Sequence, residues 1–293
     1  MERISSRQNA VVKRFRDLAR RARAAGAGGR GHAARGRPAT DVLDVLLDGE
    51  HLVHEALACG VAVEIAAVAE TGLAGGHGPL AAIARDVGRR GGRVLSVTDQ
   101  VLAAMSPVQH PSGVVAIGRA RPADLPAVFS NAAHVPLVVV AAGVQDPGNV
   151  GAIVRTAAAF GASGVIALDG SADPFGWKAL RGAMGGTFRV PVTARAQLTG
   201  VIDAARGAGV HLVAAVPRGG TPLPALDLRR PVGIVLGAEG SGVDADTVRA
   251  VGQTVTIPMN AADRGAGPAQ VESLNVAVAA AVILYEAMRQ RRA

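Results

Sequence analysis

The stretch LVVVAAGVQDPGNVGAIVRT, residues 137–156, decides the fold. Its first six residues are all apolar and rich in valine, which is typical of a strand buried on both faces. A turn containing Pro147 and Gly148 follows, and from Val150 onward apolar residues recur with helical spacing. The stretch therefore predicts a strand that leads directly into a helix, the repeating unit of a parallel α/β sheet.

The predicted helix has one packed face and one side that is free for chemistry. Asn149 is a natural N-cap residue for it, and Val150, Ile153 and Ala157 supply the packed face. Arg155 lies about 140° around the helix from Val150, so its side chain is expected to point away from that face. Spacing alone does not separate an exposed structural arginine from a catalytic one.

The same alternation continues to the C-terminus. Further strands are predicted at residues 164–168, 190–193, 212–216, 233–236 and 255–257, and further helices at residues 198–208, 245–251 and 274–289. Continuous apolar strands that alternate with helices indicate a mostly parallel sheet with helices on both faces.

The N-terminal half predicts a second, smaller α/β domain. Short strand and helix patterns alternate through residues 41–120, and residues 121–136 contain three prolines and suit a linker. Residues 1–40 are predicted to be a basic flexible arm that contains one short helix. The large α/β domain then occupies residues 137–293.

The positive charge is concentrated at the N-terminus. The chain has 31 Lys and Arg against 23 Asp and Glu, a net charge of +8. Residues 1–37 carry +9 of this and the remainder carries −1. Such a block favours a polyanionic partner, the alternative being a solvated arm without a specific partner.

Composition excludes several classes of protein. Aromatic residues make up 2% of the chain, which disfavours RNA readers that stack bases on aromatic platforms. Cys59 is the one cysteine, so a disulfide framework and a cysteine-based zinc site are excluded, and no metal is expected. The arm lacks the apolar segment of a signal peptide, and no apolar run is long enough to span a bilayer. We therefore expect a soluble cytoplasmic protein.

Two further stretches place polar residues after strands. Residues 235–242 read VLGAEGSG, a strand that runs into a glycine-rich turn carrying Glu239. Residues 257–259 read IPM, and residues 271–279, VESLNVAVA, open the last helix. Ser273 suits the N-cap of that helix, whereas Asn275 at its third position is poor helix chemistry and indicates another role. The chain has neither the dinucleotide fingerprint nor a Walker A sequence.

These three stretches, in this order and spacing, resemble the SpoU (TrmH-like) family of RNA ribose 2′-O-methyltransferases, within the SPOUT class. The resemblance covers roughly residues 137–288. Residues 42–118 are similar to the family's small RNA-binding domain, which is like ribosomal protein L30e, through DGE at 48–50 and HPSGVVA at 110–116. The opening ISSRQN at residues 4–9 is also similar to the family.

The resemblance implies a deep trefoil knot near the C-terminus, a homodimer, an RNA substrate and S-adenosyl-L-methionine as cofactor. Ribosomal RNA of the 23S type is favoured over tRNA. Gly237, Ile257 and Leu274 match positions that line the cofactor in the family. Arg155 matches the residue that helps the ribose hydroxyl lose its proton, and stabilising the developing oxyanion is an equally good role because arginine stays charged.

The remaining polar positions of the family match four residues, which are expected to orient Arg155, the ribose or the cofactor. They are Asn149, Glu239, Ser273 and Asn275.

Two departures from the family pattern stand out. Residues 260–270 form an insertion where the family has a few residues, and RGAMG at 181–185 replaces the usual Arg-x-Ser-x-Gly. The alternatives to a methyltransferase are an inactive RNA-binding protein of the same fold and an α/β enzyme that uses another nucleotide. The intact polar set disfavours the first, and the missing phosphate-loop signatures disfavour the second.

Overall fold

The described part of the chain forms two β-sheets, one of five strands and one of seven, and each is built from apolar strands that alternate with helices along the sequence. The computed structural model describes residues 1–26, 41–130, 135–259 and 271–292, with side chains up to residue 20 in the first range. The strands of the first unit are β1 (Glu2–Ile4), β2 (Leu43–Asp48), β3 (Ala62–Ala69), β4 (Arg93–Val97) and β5 (Val114–Ala120). Its helices are α1 (Ala10–Gly26), α2 (Glu50–Ala58), α3 (Glu70–Leu73), α4 (Pro79–Arg89) and α5 (Asp99–Met105).

The first sheet has the strand order β1-β4-β3-β5-β2. β1, β4 and β3 run parallel, whereas β5 is antiparallel to both β3 and β2. Because helices cover both faces of this sheet, its strands are almost continuously apolar, as in AVEIAAVA of β3.

The first 26 residues are not a separate arm. β1 pairs with β4, and Val12 and Phe15 of α1 are fully buried in a hydrophobic cluster against the first sheet. Arg14 of α1 also donates to Glu64 on β3, with an Nη1–Oε1 distance of 2.5 Å. The prediction of a flexible arm is therefore wrong for this stretch, because the apolar residues among the arginines share one helical face and bury it. Residues 27–40 lie outside the described part of the chain.

The second sheet has seven strands in the described residues, and every pairing between them is parallel. The strands are β6 (Leu137–Ala141), β7 (Gly164–Leu168), β8 (Val192–Ala196), β9 (His211–Ala215), β10 (Thr221–Pro222), β11 (Val232–Leu236) and β12 (Thr254–Thr256). Their order is β10-β12-β9-β11-β6-β7-β8.

Helices cover both faces of this second sheet. They are α6 (Leu125–Phe129), α7 (Pro147–Ala159), α8 (Trp177–Ala183), α9 (Leu198–Gly207), α10 (Ala245–Val251) and α11 (Val276–Arg292). Leu137 and Val139 of β6 face the core under α7, α8 and α11, whereas Val138 and Val140 face α6, α9 and α10. The α/β class and the parallel sheet covered on both faces are thereby confirmed. The trefoil knot and the likeness of the first unit to L30e stay predictions.

The proline-rich stretch before β6 contains a packed helix. Val128 and Phe129 of α6 are buried in the core of the second sheet, and the amide of Ala123 donates to the carbonyl of Val192 at 2.8 Å. Residues 121–130 therefore pack as part of the second unit, whereas the sequence predicts a linker there. Residues 131–134 are outside the described ranges. The domain boundaries themselves stay predictions.

Within the described ranges, no helix combines the length and the apolar character needed to cross a membrane.

Candidate active site at the carboxyl ends of the parallel strands

The three polar stretches of the sequence meet at one edge of the second sheet. α7 follows β6, the glycine-rich turn follows β11, and residues 257–259 follow β12. Because these strands are parallel, their carboxyl ends lie on the same side, which is where open α/β sheets bind ligands.

The start of α7 leaves the side chain of Asn149 free to contact other loops. Asp146 is the N-cap, and its Oδ1 accepts from the amide of Gly148 at 3.2 Å. Pro147 occupies the first helical position, where a missing N–H costs nothing. Asn149 is therefore the third residue of the helix, and the prediction that it is the N-cap is wrong.

Asn149 is the centre of a hydrogen-bonded group that joins all three stretches. Its Nδ2 donates to Oε1 of Glu239 at 2.5 Å, and its Oδ1 accepts from Nδ2 of Asn275 at 3.2 Å. One amide side chain thus holds the loop after β11 against the residues before α11. The amide uses its donor and its acceptor together, so the contact fixes the relative position of two loops that are 36 residues apart in the chain.

Asn275 has a second task, as the cap of the last helix. Its Oδ1 accepts from the amides of Ala277 and Val278, at 2.9 and 3.3 Å, and α11 begins at Val276. The prediction of a third helical position is thus wrong, and so is the prediction of Ser273 as the N-cap. Ser273 is exposed and makes no hydrogen bond to any residue that the structure describes.

The turn after β11 is a closed loop that requires glycine. The amides and carbonyls of Ala238 and Gly242 bond reciprocally, at 3.0 and 2.9 Å. Gly240 and Gly242 have φ of +89° and +70°, which side chains rarely adopt. A methyl group on Gly237 would lie 2.0 Å from the carbonyl carbon of Gly242, so the loop folds back directly onto the end of the strand.

Two apolar residues belong to the segments that end at the same edge of the sheet. Ile257 is half-buried at the end of β12, two strands away from β11 and thus about 10 Å from it. Leu274 is 36% exposed and directly precedes Asn275. A glycine turn with apolar neighbours suits a planar heterocycle held through backbone groups.

Arg155 lies apart from the hydrogen-bonded group. It is six residues after Asn149 on α7, which places it about 9 Å further along the helix axis. Its side chain is exposed, as predicted, and its guanidinium has no hydrogen bond or ion pair with the described residues. The backbone of Gly186 packs at its base, where a methyl group would lie 3.1 Å from the Arg155 Cα.

α8 is an element that the sequence analysis missed. It packs so closely on α7 that a methyl group on Gly151 would lie 2.3 Å from the carbonyl oxygen of Ala179. Gly151 inside a helical pattern was the available signal, since such glycines often mark a close helix contact. The departing sequence RGAMG at 181–185 forms the end of α8, with Met184 in the left-handed conformation at φ 49°.

Ser171 is a second residue that was missed. Its hydroxyl donates to the carbonyl of Ala141 and accepts from the amide of Gly143, both at 2.9 Å. It ties the loop after β7 to the loop that leads into α7. A lone serine in a loop carries no sequence signal for this role, because the contact spans 28 residues.

The inserted residues 260–270 lie outside the described part of the chain. Among the described residues, no three or more His, Cys, Asp and Glu side chains cluster so as to hold a metal ion.

A sheet that is all-parallel in the described residues, with a glycine loop and a polar group at its carboxyl edge, is typical of α/β enzymes that bind a cofactor there. Residues 136–285 match the model of the SpoU rRNA Methylase family. This match covers half of the chain, so the chain belongs to the SpoU rRNA methylase family. The resemblance seen in the sequence and the expected class of enzyme are thereby confirmed.

Relatives that are similar over nearly the whole chain carry methyltransferase names. The 23S rRNA (guanosine(2553)-2′-O)-methyltransferase RlmP of Bacillus subtilis is 30% identical over 286 residues, 97% of this chain and 98% of its own. The AdoMet-bound rRNA methyltransferase of Sinorhizobium meliloti superposes with a TM-score of 0.77 at 29% identity, covering 98% and 97% of the two chains. The AdoMet complex of the SpoU methyltransferase AviRb from Streptomyces viridochromogenes gives 0.76 at 27% identity, covering 97% and 99%.

Proposed function

We propose that this chain transfers a methyl group from S-adenosyl-L-methionine to a ribose 2′-hydroxyl of ribosomal RNA, of the 23S type rather than tRNA, in the cytoplasm. The observation that carries the proposal is the hydrogen-bonded group of Glu239, Asn149 and Asn275, which joins the family's three motifs at one edge of the sheet. The name of RlmP, similar over the whole chain, supports 23S rRNA as the substrate.

The residues at this edge fit the cofactor. Gly237, Ile257 and Leu274 would line it, with the closed loop 238–242 supplying backbone groups and the two aliphatic side chains supplying apolar walls. Because Gly237 has no side chain, the loop folds back onto the end of β11, which brings the backbone groups of residues 238–242 to the carboxyl edge of the sheet. When bound, S-adenosylmethionine supplies a methyl group on a sulfonium, which is a strong electrophile.

Arg155 acts on the ribose. The 2′-oxygen gains negative charge as its proton leaves, and a guanidinium whose charge no described carboxylate neutralises is suited to stabilise it. Arginine is effectively always protonated, so Arg155 donates a hydrogen bond to the oxygen, and the hydroxyl proton passes to a phosphate oxygen of the RNA or to water. Orienting the hydroxyl in line with the methyl group supplies much of the remaining rate.

Glu239, Asn149 and Asn275 position the reacting groups. Their hydrogen bonds hold the cofactor loop at a fixed distance from the first turn of α7, the helix that carries Arg155. Ser273 is exposed beside Asn275 and free to donate to the ribose or the cofactor. These four residues thus orient the ribose, the cofactor or Arg155, and Arg155 stabilises the negative charge that develops on the 2′-oxygen.

A homodimer would cover an apolar stripe on the last helix. Val278, Val282 and Tyr285 of α11 are 49%, 37% and 52% exposed and lie at i, i+4 and i+7, on one face. Exposed apolar faces of this kind mark association sites, and self-association through one shared face gives a twofold dimer.

Methylation of purified rRNA and tRNA with radiolabelled S-adenosylmethionine tests the proposal. We expect label in 23S rRNA, recovered after alkaline hydrolysis as an uncleaved dinucleotide because a 2′-O-methyl group blocks cleavage at that linkage. Label on a base would refute the 2′-hydroxyl as acceptor. Label confined to tRNA would refute the choice of rRNA, and no label in either would refute the proposed activity.

A further inference from the structure

Helix α1 presents an exposed row of positive charge. Lys13, Arg16 and Arg20 are exposed and lie at i, i+3 and i+7, within about 60° of one another around the axis. The row extends about 10 Å along the helix. None of the three forms an ion pair with any side chain described here, and Asp17 is the one acidic residue in the helix sequence. This row therefore keeps its charge for an external partner.

The row is held rigidly against the rest of the protein. Val12 and Phe15, on the opposite side of α1, are fully buried. Arg14 is bound by Glu64 and by Asp44, the latter at 2.8 Å from Nη2. Arg14 thus anchors the helix, while Lys13, Arg16 and Arg20 face outward.

α1 lies beside α8 of the methyltransferase unit. Trp177, the first residue of α8, is buried in the same hydrophobic cluster as Val12 and Phe15. The next residue, Lys178, is exposed and has no ion pair among the described residues. Arg181 follows one turn later with its side chain 52% exposed and its Nη1 4.0 Å from Oδ1 of Asp48. The helix that adjoins α1 therefore adds one unpaired exposed cation, Lys178, and one exposed cation that is partly neutralised, Arg181.

α8 in turn packs on α7 at Gly151, one turn before Arg155. The row on α1, the two basic residues of α8 and the exposed Arg155 thus occupy three helices that contact one another in sequence. Arg206 on α9, Arg249 on α10 and Arg229 before β11 lie outside these three helices, and each pairs with a neighbouring aspartate, so they serve as control positions.

We propose that the exposed basic residues of α1 (Lys13, Arg16 and Arg20) and of α8 (Lys178 and Arg181) form one phosphate-binding track. The track binds the phosphate backbone of the RNA substrate and positions the RNA next to Arg155. The track reads charge and shape and not base identity, since the described faces of α1 and α8 expose no aromatic side chain for stacking. Because α1 is fixed to both units, the RNA bound along it lies at a set distance from Arg155. The proposal rests on the proposed function for the identity of the substrate.

The test replaces the row by glutamines and compares the salt dependence of RNA binding. The variant is Lys13→Gln, Arg16→Gln and Arg20→Gln together, since glutamine keeps helix propensity. The matched control is Arg206→Gln, Arg229→Gln and Arg249→Gln, which removes the same charge from exposed, ion-paired sites. Circular dichroism checks that both variants keep their helices.

We expect the track variant to lower the log–log salt slope of rRNA binding by about 2, because each phosphate that the row neutralises contributes about 0.7–0.9 to that slope. Its kcat/KM for RNA should fall while its affinity for S-adenosylmethionine is unchanged, and the control should keep the wild-type slope. Equal slopes for the two variants would overturn the track. If the track variant lowers the salt slope but the wild-type protein methylates no RNA, the track is supported and the proposed function is refuted. The two failures are therefore distinguishable.

Discussion

Gly237→Ala should separate cofactor binding from folding. The added methyl group would lie 2.0 Å from the carbonyl carbon of Gly242 and 2.1 Å from the amide nitrogen of Val243. Ordinary contacts at such positions are at least about 3.4 Å, and both neighbours are backbone, so the loop has to move by more than 1 Å. That movement breaks the two reciprocal bonds between Ala238 and Gly242.

The magnitude follows from those two hydrogen bonds. The variant gives up these bonds, at about 0.5–1.5 kcal/mol each, only because the clash in the native shape costs more, so the native shape lies at least about 1–3 kcal/mol above the relaxed loop. If the cofactor binds only the native shape, its affinity falls by at least about 5- to 150-fold. Isothermal calorimetry with S-adenosylmethionine measures this fall directly.

Gly252→Ala is the matched control. Gly252 also has positive φ, +79°, but ends α10 with open space around it. This substitution introduces left-handed strain of about 1 kcal/mol away from the cofactor loop. We expect a lower melting temperature with unchanged cofactor affinity. Gly237→Ala protein that binds the cofactor as tightly as the wild type would refute the placement of the cofactor at this loop.

Three further substitutions test other parts of the account. Asn275→Ala removes the cap of α11 and the contact with Asn149, so it should cost about 1 kcal/mol of stability in urea unfolding and also lower kcat; an effect on stability alone would contradict its positioning role. The hydrogen bond from Arg14 lowers the pKa of Glu64 to about 2 from its usual 4.5. The pair therefore stabilises the fold above pH 4.5, and this stabilisation is lost as the pH falls toward 2. Glu64→Gln should make the free energy of unfolding less dependent on pH between 4.5 and 2. An unchanged pH dependence would contradict the anchoring of α1. Val282→Arg should convert a dimer of about twice 29.4 kDa into monomers in light scattering, and an unchanged mass would exclude this face as the interface.

The sequence predicted most elements because their apolar patterns are local. The strand predicted at residues 137–142 matches β6 within one residue, and the helix predicted from Val150 starts three residues later than α7 and ends one residue after it. α8 was not predicted because its place depends on the close contact of Gly151 with Ala179, which no local pattern reports. The arm was misjudged because its many arginines concealed a buried face made by Val12 and Phe15.

The site was predictable as a set of residues but not as a geometry. Asn149 and Asp146 both suit a cap by type, and only the backbone conformation assigns the cap to Asp146. The contacts of Asn149 with Glu239 and Asn275 span 90 and 126 residues, so they depend on the strand order and no local pattern reports them.

Single-turnover methylation by Arg155→Ala protein, with saturating rRNA and S-adenosylmethionine, tests the central claim most directly. Arg155 is exposed and unpaired within the described structure, so its loss should change stability by no more than about 0.5 kcal/mol. Cofactor affinity should be unchanged, and the rate of methyl transfer should fall by about 10²–10³-fold, as when other charge-stabilising donors are removed. Arg206→Ala, on the opposite face of the sheet, should transfer at the wild-type rate. Methyl transfer by Arg155→Ala within a few-fold of the wild type would contradict the assignment of Arg155 to catalysis.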